Sequence, residues 1–365
     1  MKIICSKSKL IQGVNIVSKA VPAKSTMASL ECILIDASGI DIKLMANDME
    51  LGIETVVEGD IITQGIVAVD ARIFSEIVRK LPDNDVVIET DENYHTTITC
   101  EQAKFSIVSR SGEEFSNLPD LERRNPLTIS QFTLKEVIRQ TIFSIAPADN
   151  MKVLTGELFE IQGDIMKVVS LDKHRISIRK IALKESYENK KVIVPGKTLN
   201  DLSKILPGDM EEEVNIFFTP NHIIFEFDNT TVVSRLIEGE YYNVDKMLSK
   251  DYETKVHMNK RDLLDSIDRS TLLIRDSDKK PIVMEISDSS MELRMNSSLG
   301  SMKENIVIEK EGKDILIGFD PKFIMDALRV IEDENVMIYF LNPNSPCFIK
   351  NEDESYIYLI LPVKI

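Results

Sequence analysis

The chain has 365 residues, of which 43% are hydrophobic and 28% charged, and its formal net charge is −16 at pH 7. This length exceeds what one hydrophobic core usually serves, so the composition indicates two or three globular domains and argues against disorder. The four cysteines have no CxxC spacing, and no segment resembles a signal peptide or reaches membrane-spanning length. We therefore expect a cytoplasmic protein with no disulfide framework and no membrane partner.

In the first third of the chain, the residue pattern predicts a helix, a hairpin and a second helix, in that order. The first helix, residues 7–24, has apolar residues at helical spacing. Alternating residues from 34 to 48 around Gly39 then predict a β-hairpin. The second helix, residues 71–81, lies between two strands, and its apolar positions are Phe74, Ile77, Val78 and Leu81.

The same order of elements recurs twice. The positions Leu10, Val14, Val17 and Val21 correspond to Leu134, Ile138, Thr141 and Ile145, and then to Leu263, Ile267, Ser270 and Ile274. Hairpins are predicted at residues 158–172 around Gly163 and 283–296 around Asp288, and further helices at 131–146, 196–206, 259–275 and 321–331. Leu206 and Ile331 follow Leu81 by 125 and 250 residues.

A repeat of this kind predicts the architecture before any single motif is weighed. It indicates three α+β units, each with two helices and a strand-rich remainder. Polar, turn-forming connections fall near residues 119–126 and 238–251. We place the domains at residues 1–122, 123–246 and 247–365.

Positive charge is concentrated in the six predicted helices. These 84 residues hold 17 Lys and Arg against 7 Asp and Glu, a net charge of +10, whereas the rest of the chain carries −26. Lys7, Lys9, Lys19 and Lys24 lie in an 18-residue stretch without an acid. A basic helix surface in an acidic chain suits phosphate contacts that read no base. The alternative is an ordinary solvated helix face.

Signatures of common catalytic and nucleotide-binding sites are absent from the sequence, which has no GxSxG, HExxH, GxGxxG or GxxxxGK motif. One compact polar cluster, Asp172 to Arg175, follows the apolar residues 166–171. It has three interpretations: a catalytic base at His174 oriented by Asp172, a plain strand end, or the rim of an apolar groove that recognises a partner. We favour the groove.

Five short motifs are spread over the whole chain: Asn47-Asp48-Met49-Glu50, Phe115-Ser116-Asn117-Leu118-Pro119, Asp172-Lys173-His174-Arg175-Ile176, Ile193-Val194-Pro195-Gly196-Lys197 and Leu361-Pro362-Val363-Lys364-Ile365. In their order and spacing they resemble the beta subunit of bacterial DNA polymerase III, the sliding clamp. The resemblance implies an α+β fold of three repeated DNA-clamp domains, each with two helices packed on antiparallel sheets. It also implies that two chains close head to tail into a ring-shaped dimer.

The function implied by the resemblance is that of a processivity factor, which is not an enzyme and needs no cofactor or metal. Such a clamp encircles double-stranded DNA without reading its sequence. It tethers the catalytic subunit of the replicative polymerase, the clamp loader and other proteins through clamp-binding peptides.

Carried over by position, the family's partner-peptide pocket falls on thirteen residues: Leu154, Leu171, His174, Arg175, Ile176, Tyr242, Lys246, Met247, Leu359, Leu361, Pro362, Val363 and Lys364. We expect an apolar slot with a basic rim, suited to a short peptide with two or three hydrophobic anchors. Some positions depart from the family, since Leu171 replaces a threonine, Tyr242 a proline and Lys246 an arginine.

The resemblance also assigns the other two surfaces of the clamp. DNA contacts carry over at Lys24, Arg72 and Lys152, where Lys152 replaces an aromatic residue. Among the basic residues of the predicted helices, Arg79 and Lys197 are also expected to contact DNA. The dimer interface is expected to pair residues 103–108 with residues 299–307, extending a sheet across subunits. There, the packing residues are Phe105, Ile107, Leu273 and Ile274.

Two other hypotheses stay open at this point. The first is a three-domain interaction scaffold that does not bind DNA, which predicts that charge reversal at Lys24 and Arg72 leaves function intact. The second is an enzyme, which predicts that His174→Ala abolishes a turnover without weakening partner binding.

Overall fold

A computed structural model describes residues 1–148, 150–249, 251–274 and 280–365. Within these ranges the chain forms six α-helices, each beginning within one residue of its predicted start. They are α1 (Lys7–Val17), α2 (Ala71–Lys80), α3 (Gln131–Thr141), α4 (Gly196–Ile205), α5 (Lys260–Thr271) and α6 (Pro321–Val330). The predicted pairing of two helices with each repeat is therefore confirmed.

Polar residues before the first turn fix where the helices begin. The Asp70 carboxylate accepts the backbone N–H of Ile73 at 2.8 Å at the start of α2. The side chain of Asn259 likewise accepts the N–H of Arg261 at 2.9 Å at the start of α5. Such caps satisfy donors that have no partner inside the helix.

Three helices end several residues earlier than the sequence predicts. One is α3, which ends at Thr141 instead of residue 146 and continues only as a 3₁₀ turn, Ile142–Ser144. α1 ends at Val17 instead of residue 24 and continues only as a 3₁₀ turn, Ser18–Ala20. The cause is Pro22, because the residue before a proline avoids the helical region, and Val21 is extended (φ −82°, ψ 123°). α5 ends at Thr271, and residue 275 of its predicted range lies outside the described residues.

The described strands are numbered in chain order. In the first repeat they are β1 (Lys2–Ser6), β2 (Cys32–Asp36), β3 (Ile42–Asn47), β4 (Leu51–Val57), β5 (Asp60–Thr63), β6 (Ile66–Asp70), β7 (Asp85–Thr90), β8 (His95–Cys100), β9 (Ala103–Val108) and β10 (Arg110–Ser111). In the second they are β11 (Leu127–Ser130), β12 (Gly156–Leu171), β13 (Arg175–Pro195), β14 (Glu213–Phe218), β15 (His222–Phe227) and β16 (Thr230–Arg235). In the third they are β17 (Thr254–Asn259), β18 (Ile282–Ser287), β19 (Ser290–Ser297), β20 (Gly300–Val307), β21 (Glu309–Gly312), β22 (Ile315–Phe319), β23 (Asn335–Phe340), β24 (Cys347–Lys350) and β25 (Tyr356–Ile360).

The chain folds into two compact units, and both are built from antiparallel sheets. The first unit comprises residues 1–134 and 201–236 and contains a five-stranded sheet, β5-β1-β7-β8-β9, and a nine-stranded sheet, β10-β6-β2-β3-β4-β16-β15-β14-β11. The second comprises residues 135–200 and 237–365, with a seven-stranded sheet, β12-β13-β25-β24-β23-β17-β21, and a four-stranded sheet, β20-β19-β18-β22.

One large sheet in each unit joins two successive repeats. In the first unit β4 of the first repeat pairs with β16 of the second, with Gly52 opposite Val233. In the second unit β13 of the second repeat pairs with β25 of the third, with Ile176 opposite Leu359. These strand pairs hold the clefts described below.

The predicted hairpins are confirmed in the first and third repeats but not in the second. There, residues 156–171 form one strand, β12, which pairs with β13 along its length. Gly163 is left-handed (φ +61°), and the register shifts on both sides of it. The glycine therefore marks a bulge in a continuous strand instead of the turn of a hairpin.

Candidate functional site

A cleft with a volume of about 420 Å³ opens in the second unit where β12 and β25 end and β13 begins. We call it the C-terminal cleft. It is lined by Met151, Leu154, Leu171, Asp172, Lys173, Arg175, Ile176, Tyr242, Met247, Pro346, Leu359 and Leu361. Only three of these twelve residues carry a charged side chain, so the lining is largely apolar.

A tight turn places the polar residues at one end of this cleft. The Asp172 carboxylate accepts the backbone N–H of His174 at 2.7 Å and that of Arg175 at 3.0 Å. The backbone N–H of Asp172 donates to the Arg175 carbonyl at 3.1 Å, closing the link between β12 and β13. An aspartate that bonds to backbone two and three residues ahead is a common way to fix such a turn.

The floor of the cleft is buried, whereas its mouth is exposed. Leu154, Leu171, Ile176 and Leu359 are each 4–6% exposed and continue into a hydrophobic core cluster. At the mouth, by contrast, Met151, Tyr242, Met247 and Leu361 are 37–47% exposed. Clustered exposed apolar side chains over a firm floor are typical of a binding site, and methionines suit a surface that adapts to its ligand.

Arg175 is predicted as part of a basic rim, but the structure commits its guanidinium to the protein interior. The side chain is only 9% exposed and forms ion pairs with Asp172 (3.1 Å) and Asp326 (2.7 Å). It also donates to the Phe143 carbonyl and stacks on the Phe323 ring at 4.5 Å. Because two carboxylates neutralise its charge, Arg175 supports the cleft wall and offers no free cation to a partner.

The contacts of Asp172 and His174 do not support catalysis. One Asp172 oxygen accepts two backbone N–H groups, and the other accepts Arg175 Nε, so the carboxylate has no role in orienting the imidazole. The His174 ring stacks on Phe323 at 5.7 Å, with 21° between the ring planes. The backbone of His174 tethers the C-terminal segment, since its carbonyl accepts the N–H of Leu361 at 2.8 Å.

Eight of the thirteen predicted pocket residues line the cleft together: Leu154, Leu171, Arg175, Ile176, Tyr242, Met247, Leu359 and Leu361. The other five, His174, Lys246, Pro362, Val363 and Lys364, are not lining residues, although each lies within three positions of one in the sequence. Val363 is turned toward β22, because its N–H donates to the Gly318 carbonyl at 2.9 Å. Lys246 and Lys364 are exposed, and Lys246 directly precedes the lining residue Met247.

Four lining residues are absent from the predicted pocket: Met151, Asp172, Lys173 and Pro346. Asp172 and Lys173 belong to the polar cluster of residues 172–175, which is recognisable in the sequence. The sequence therefore indicates this part of the cleft. Met151 lies three residues before Leu154, and its sulfur is 3.1 Å from the Tyr242 hydroxyl. No pattern in the sequence brings Pro346 to the cleft.

The residues predicted to contact DNA are all exposed, in two groups. Lys24, Arg72 and Arg79 belong to the first unit, and Arg72 and Arg79 are seven residues apart on α2, which places them on one face of that helix. Lys152 and Lys197 belong to the second unit, in a 3₁₀ turn (Lys152–Thr155) and at the start of α4.

Both segments predicted to form the dimer interface are edge strands of their sheets. β9 ends the five-stranded sheet and β20 ends the four-stranded sheet. Phe105 on β9 is 39% exposed and Val307 on β20 is 84% exposed, so apolar side chains accompany open backbone. Leu273 and Ile274 are half-buried against the core of the second unit. Open edge strands with apolar side chains invite pairing with another chain.

Within the described ranges, no three His, Cys, Asp or Glu side chains are placed to hold a metal ion. Cys5, Cys32, Cys100 and Cys347 are free and buried. Among the helices in those ranges, none is long and apolar enough to cross a membrane.

The threefold α+β repeat, the open edge strands and the apolar cleft define a three-domain clamp-type protein. Models of the N-terminal, central and C-terminal domains of the DNA polymerase III beta subunit match residues 1–119, 128–243 and 245–364. The chain belongs to the DNA polymerase III beta-subunit family, the bacterial sliding clamps.

Individual relatives agree over the full length. A beta sliding clamp of Staphylococcus epidermidis is 32% identical, over 100% of this chain and 99% of the relative. A crystal structure from Eubacterium rectale, assigned as a DNA polymerase III beta subunit, is 65% identical with a TM-score of 0.97 and covers 100% of both chains. The DNA polymerase sliding clamp of Bacillus subtilis is 32% identical with a TM-score of 0.96, covering 100% of this chain and 99% of that one.

Family membership confirms the resemblance, the α+β clamp fold and the function that the sequence predicts. The chain is a sliding clamp, a processivity factor of DNA replication, and a non-catalytic subunit of the polymerase holoenzyme. The interpretation as a scaffold without DNA is not favoured.

Proposed function

We propose that two copies of this chain close head to tail around double-stranded DNA in the cytoplasm, and that the C-terminal cleft tethers the replicative polymerase. The three clamp domains are residues 1–122, 123–246 and 247–365. The clamp loader and other partners would use the same cleft in turn. The observation that carries this proposal is the exposed apolar mouth over a buried floor, which suits a short peptide with hydrophobic anchors.

The proposed DNA contacts are Lys24, Arg72, Arg79, Lys152 and Lys197. All are exposed lysines or arginines, which suit phosphate contacts, so binding would be electrostatic and independent of sequence. The acidic remainder of the chain would repel the duplex elsewhere. Such contacts weaken as salt rises, whereas a closed ring does not depend on them to stay linked to DNA.

The proposed dimer interface pairs β9 of one chain with β20 of the next. This pairing would satisfy the open backbone groups of two edge strands. Phe105 and Ile107 would then pack near Leu273 and Ile274. The arrangement is heterologous, so two copies form two identical interfaces and the ring closes.

A pair of matched variants tests the cleft. The probe is a fluorescein-labelled peptide whose three anchors are two leucines and a phenylalanine separated by serines. We expect Leu361→Asp to weaken binding of this peptide by at least about 2 kcal/mol, because a charge replaces a desolvated apolar contact. The control is Leu316→Asp, since Leu316 is similarly exposed (44% against 39%) and lies outside the cleft. Fluorescence anisotropy measures both. Equal affinity for the two variants would contradict the proposal.

A further inference from the structure

The first unit contains a second cleft, of about 350 Å³, built where β3, β4 and β16 meet. We call it the N-terminal cleft. Its strands pair in the same register as those of the C-terminal cleft. Gly52 lies opposite Val233 in the first unit, just as Ile176 lies opposite Leu359 in the second. Ile176 follows Gly52 by 124 residues, and Leu359 follows Val233 by 126.

The hydrogen bonds around the two clefts repeat as well. The N–H of Arg235 donates to the Glu50 carbonyl at 2.8 Å, the counterpart of the 2.8 Å bond from Leu361 to His174. The Asp48 carboxylate accepts the N–H groups of Glu50 (3.0 Å) and Leu51 (2.7 Å), as Asp172 does for His174 and Arg175. The same turn and the same strand ends therefore build both clefts.

The floors of the two clefts are made differently. Gly52 stands where the C-terminal cleft has Ile176, and a Cβ atom on Gly52 would lie 2.0 Å from the Cδ2 atom of Leu118. Leu118 thus takes the space that the isoleucine side chain would need. Its counterpart in the second unit, 126 residues later, is the smaller Val244. Gly52 and Leu118 line the N-terminal cleft, whereas Ile176 lines the C-terminal cleft and Val244 lies in the buried apolar cluster that contains Ile176.

The mouth of the N-terminal cleft has a different chemistry. Arg235 replaces Leu361, and its exposed guanidinium has no ion pair within the part of the chain that the structure describes. His222 lines the same cleft opposite Arg235, and burial together with the Arg235 charge lowers the pKa of its imidazole. Its equivalent in the other cleft is Pro346, because Ile224 and Phe348 lie opposite the equivalent residues Val233 and Leu359. The site therefore offers a cation where the other cleft offers an apolar contact.

Backbone strain marks the same mouth. Met49 is left-handed (φ +75°) although it is not a glycine, and its side chain is 55% exposed beside the cleft. Lys173, its counterpart in the other cleft, is not among the left-handed residues of the described chain. Strained residues of this kind cluster where a ligand is held.

We propose that the N-terminal cleft is a second docking site, which takes a short extended peptide with one aspartate or glutamate beside an aliphatic residue. The peptide carboxylate pairs with Arg235, and the aliphatic side chain lies on Leu118 and Val233. Glu50 at the same mouth selects against a run of acids. This inference rests on the proposed function, because it extends the peptide docking proposed for the C-terminal cleft to the equivalent N-terminal cleft.

The test uses the full-length protein labelled with ¹³C at its methionine methyl groups. Met49 reports on the N-terminal cleft, whereas Met151 and Met247 report on the C-terminal cleft. The probes are acetyl-Gly-Leu-Asp-Val-Gly-amide and the same peptide with Asn in place of Asp. We expect the Asp peptide to shift the Met49 resonance, and the Asn peptide to bind at least about tenfold more weakly.

Two variants of equivalent positions complete the test. Arg235→Leu, which copies the residue of the other cleft, should abolish the Met49 shift, whereas Leu361→Asp should leave it unchanged. Absence of a Met49 shift, an equal shift with the Asn peptide, or a shift that persists in Arg235→Leu would each overturn the second site. Failure of the proposed function is distinguishable, because the three-anchor peptide would then shift neither Met151 nor Met247.

Discussion

Arg175 is held by acceptors from three parts of the second unit. Asp172 lies in the turn before β13, Asp326 lies on α6, and the Phe143 carbonyl belongs to the 3₁₀ turn that follows α3. The sequence places Arg175 beside the cleft through its motif. It could not reveal the ion pair with Asp326, because 151 residues separate the two and no local spacing encodes that contact.

Removing this arginine should destabilise the fold. We expect Arg175→Met to lower the free energy of unfolding by about 3 kcal/mol, because it leaves two mostly buried carboxylates without their cation. Arg269→Met is the control, since Arg269 is 52% exposed and pairs with Glu304 at the surface; its effect should be much smaller. Urea denaturation measures both variants. Equal effects would show that the Arg175 network contributes no more than a surface pair.

Glu157 on β12 is a fully buried carboxyl, and neither of its oxygens has a hydrogen-bond partner among the described residues. Burial raises the pKa of Glu157 from 4.5 to about 8. The Thr141 hydroxyl opposes this shift only in part, because it donates to the Val137 carbonyl at 2.7 Å. The folded protein therefore keeps Glu157 protonated at neutral pH.

The raised pKa predicts a specific pH dependence. Between pH 4.5 and about 8 the folded state binds a proton that the unfolded chain releases, so stability falls as pH rises, by at most about 1.4 kcal/mol per pH unit. Glu157→Gln should remove this slope and make the protein more stable than the parent at pH 8. The exposed Glu185→Gln is the control, and unfolding midpoints from pH 5 to 8 provide the measurement. A slope that survives in Glu157→Gln would contradict the assignment.

At the scale of elements, helices and hairpins were predictable where local signals act alone. The starts of α2 and α5 follow from Asp70 and Asn259, which are good caps in any context. Gly163 misled the hairpin prediction because a left-handed glycine serves a bulge as well as a turn. The pairing of β4 with β16 joins residues almost 180 positions apart, which no local pattern specifies.

The edge strands give a prediction for assembly. Phe105→Asp on β9 should weaken the dimer by about 2 kcal/mol or more, roughly 30-fold in Kd, because a charge would enter the apolar part of the proposed interface. Ile62→Asp is a matched control. Ile62 is 57% exposed on β5, the opposite edge of the same sheet. Sedimentation equilibrium should show a shift toward monomer for Phe105→Asp alone, and a similar shift for both variants would count against β9 as the interface.

At the scale of the whole molecule, the repeat was the most informative property of the sequence. Leu206 and Ile331 follow Leu81 by 125 and 250 residues, and the paired strands of the two clefts are related by similar offsets of 124 and 126 residues. The two compact units nevertheless cut through the middle repeat, because each large sheet borrows strands from a neighbouring repeat. The charge is also distributed by element, because basic residues are concentrated in the helices while the chain as a whole is acidic.

The central claim is that this chain forms a closed ring around DNA, and one measurement tests it directly. A clamp loader places the protein on nicked circular DNA, the salt is raised to screen the electrostatic contacts, and retention is measured before and after the circle is linearised. We predict that the protein stays on the circle in high salt and is lost once the DNA has ends. Loss from the intact circle at the same salt, or retention that linearisation does not change, would contradict the account.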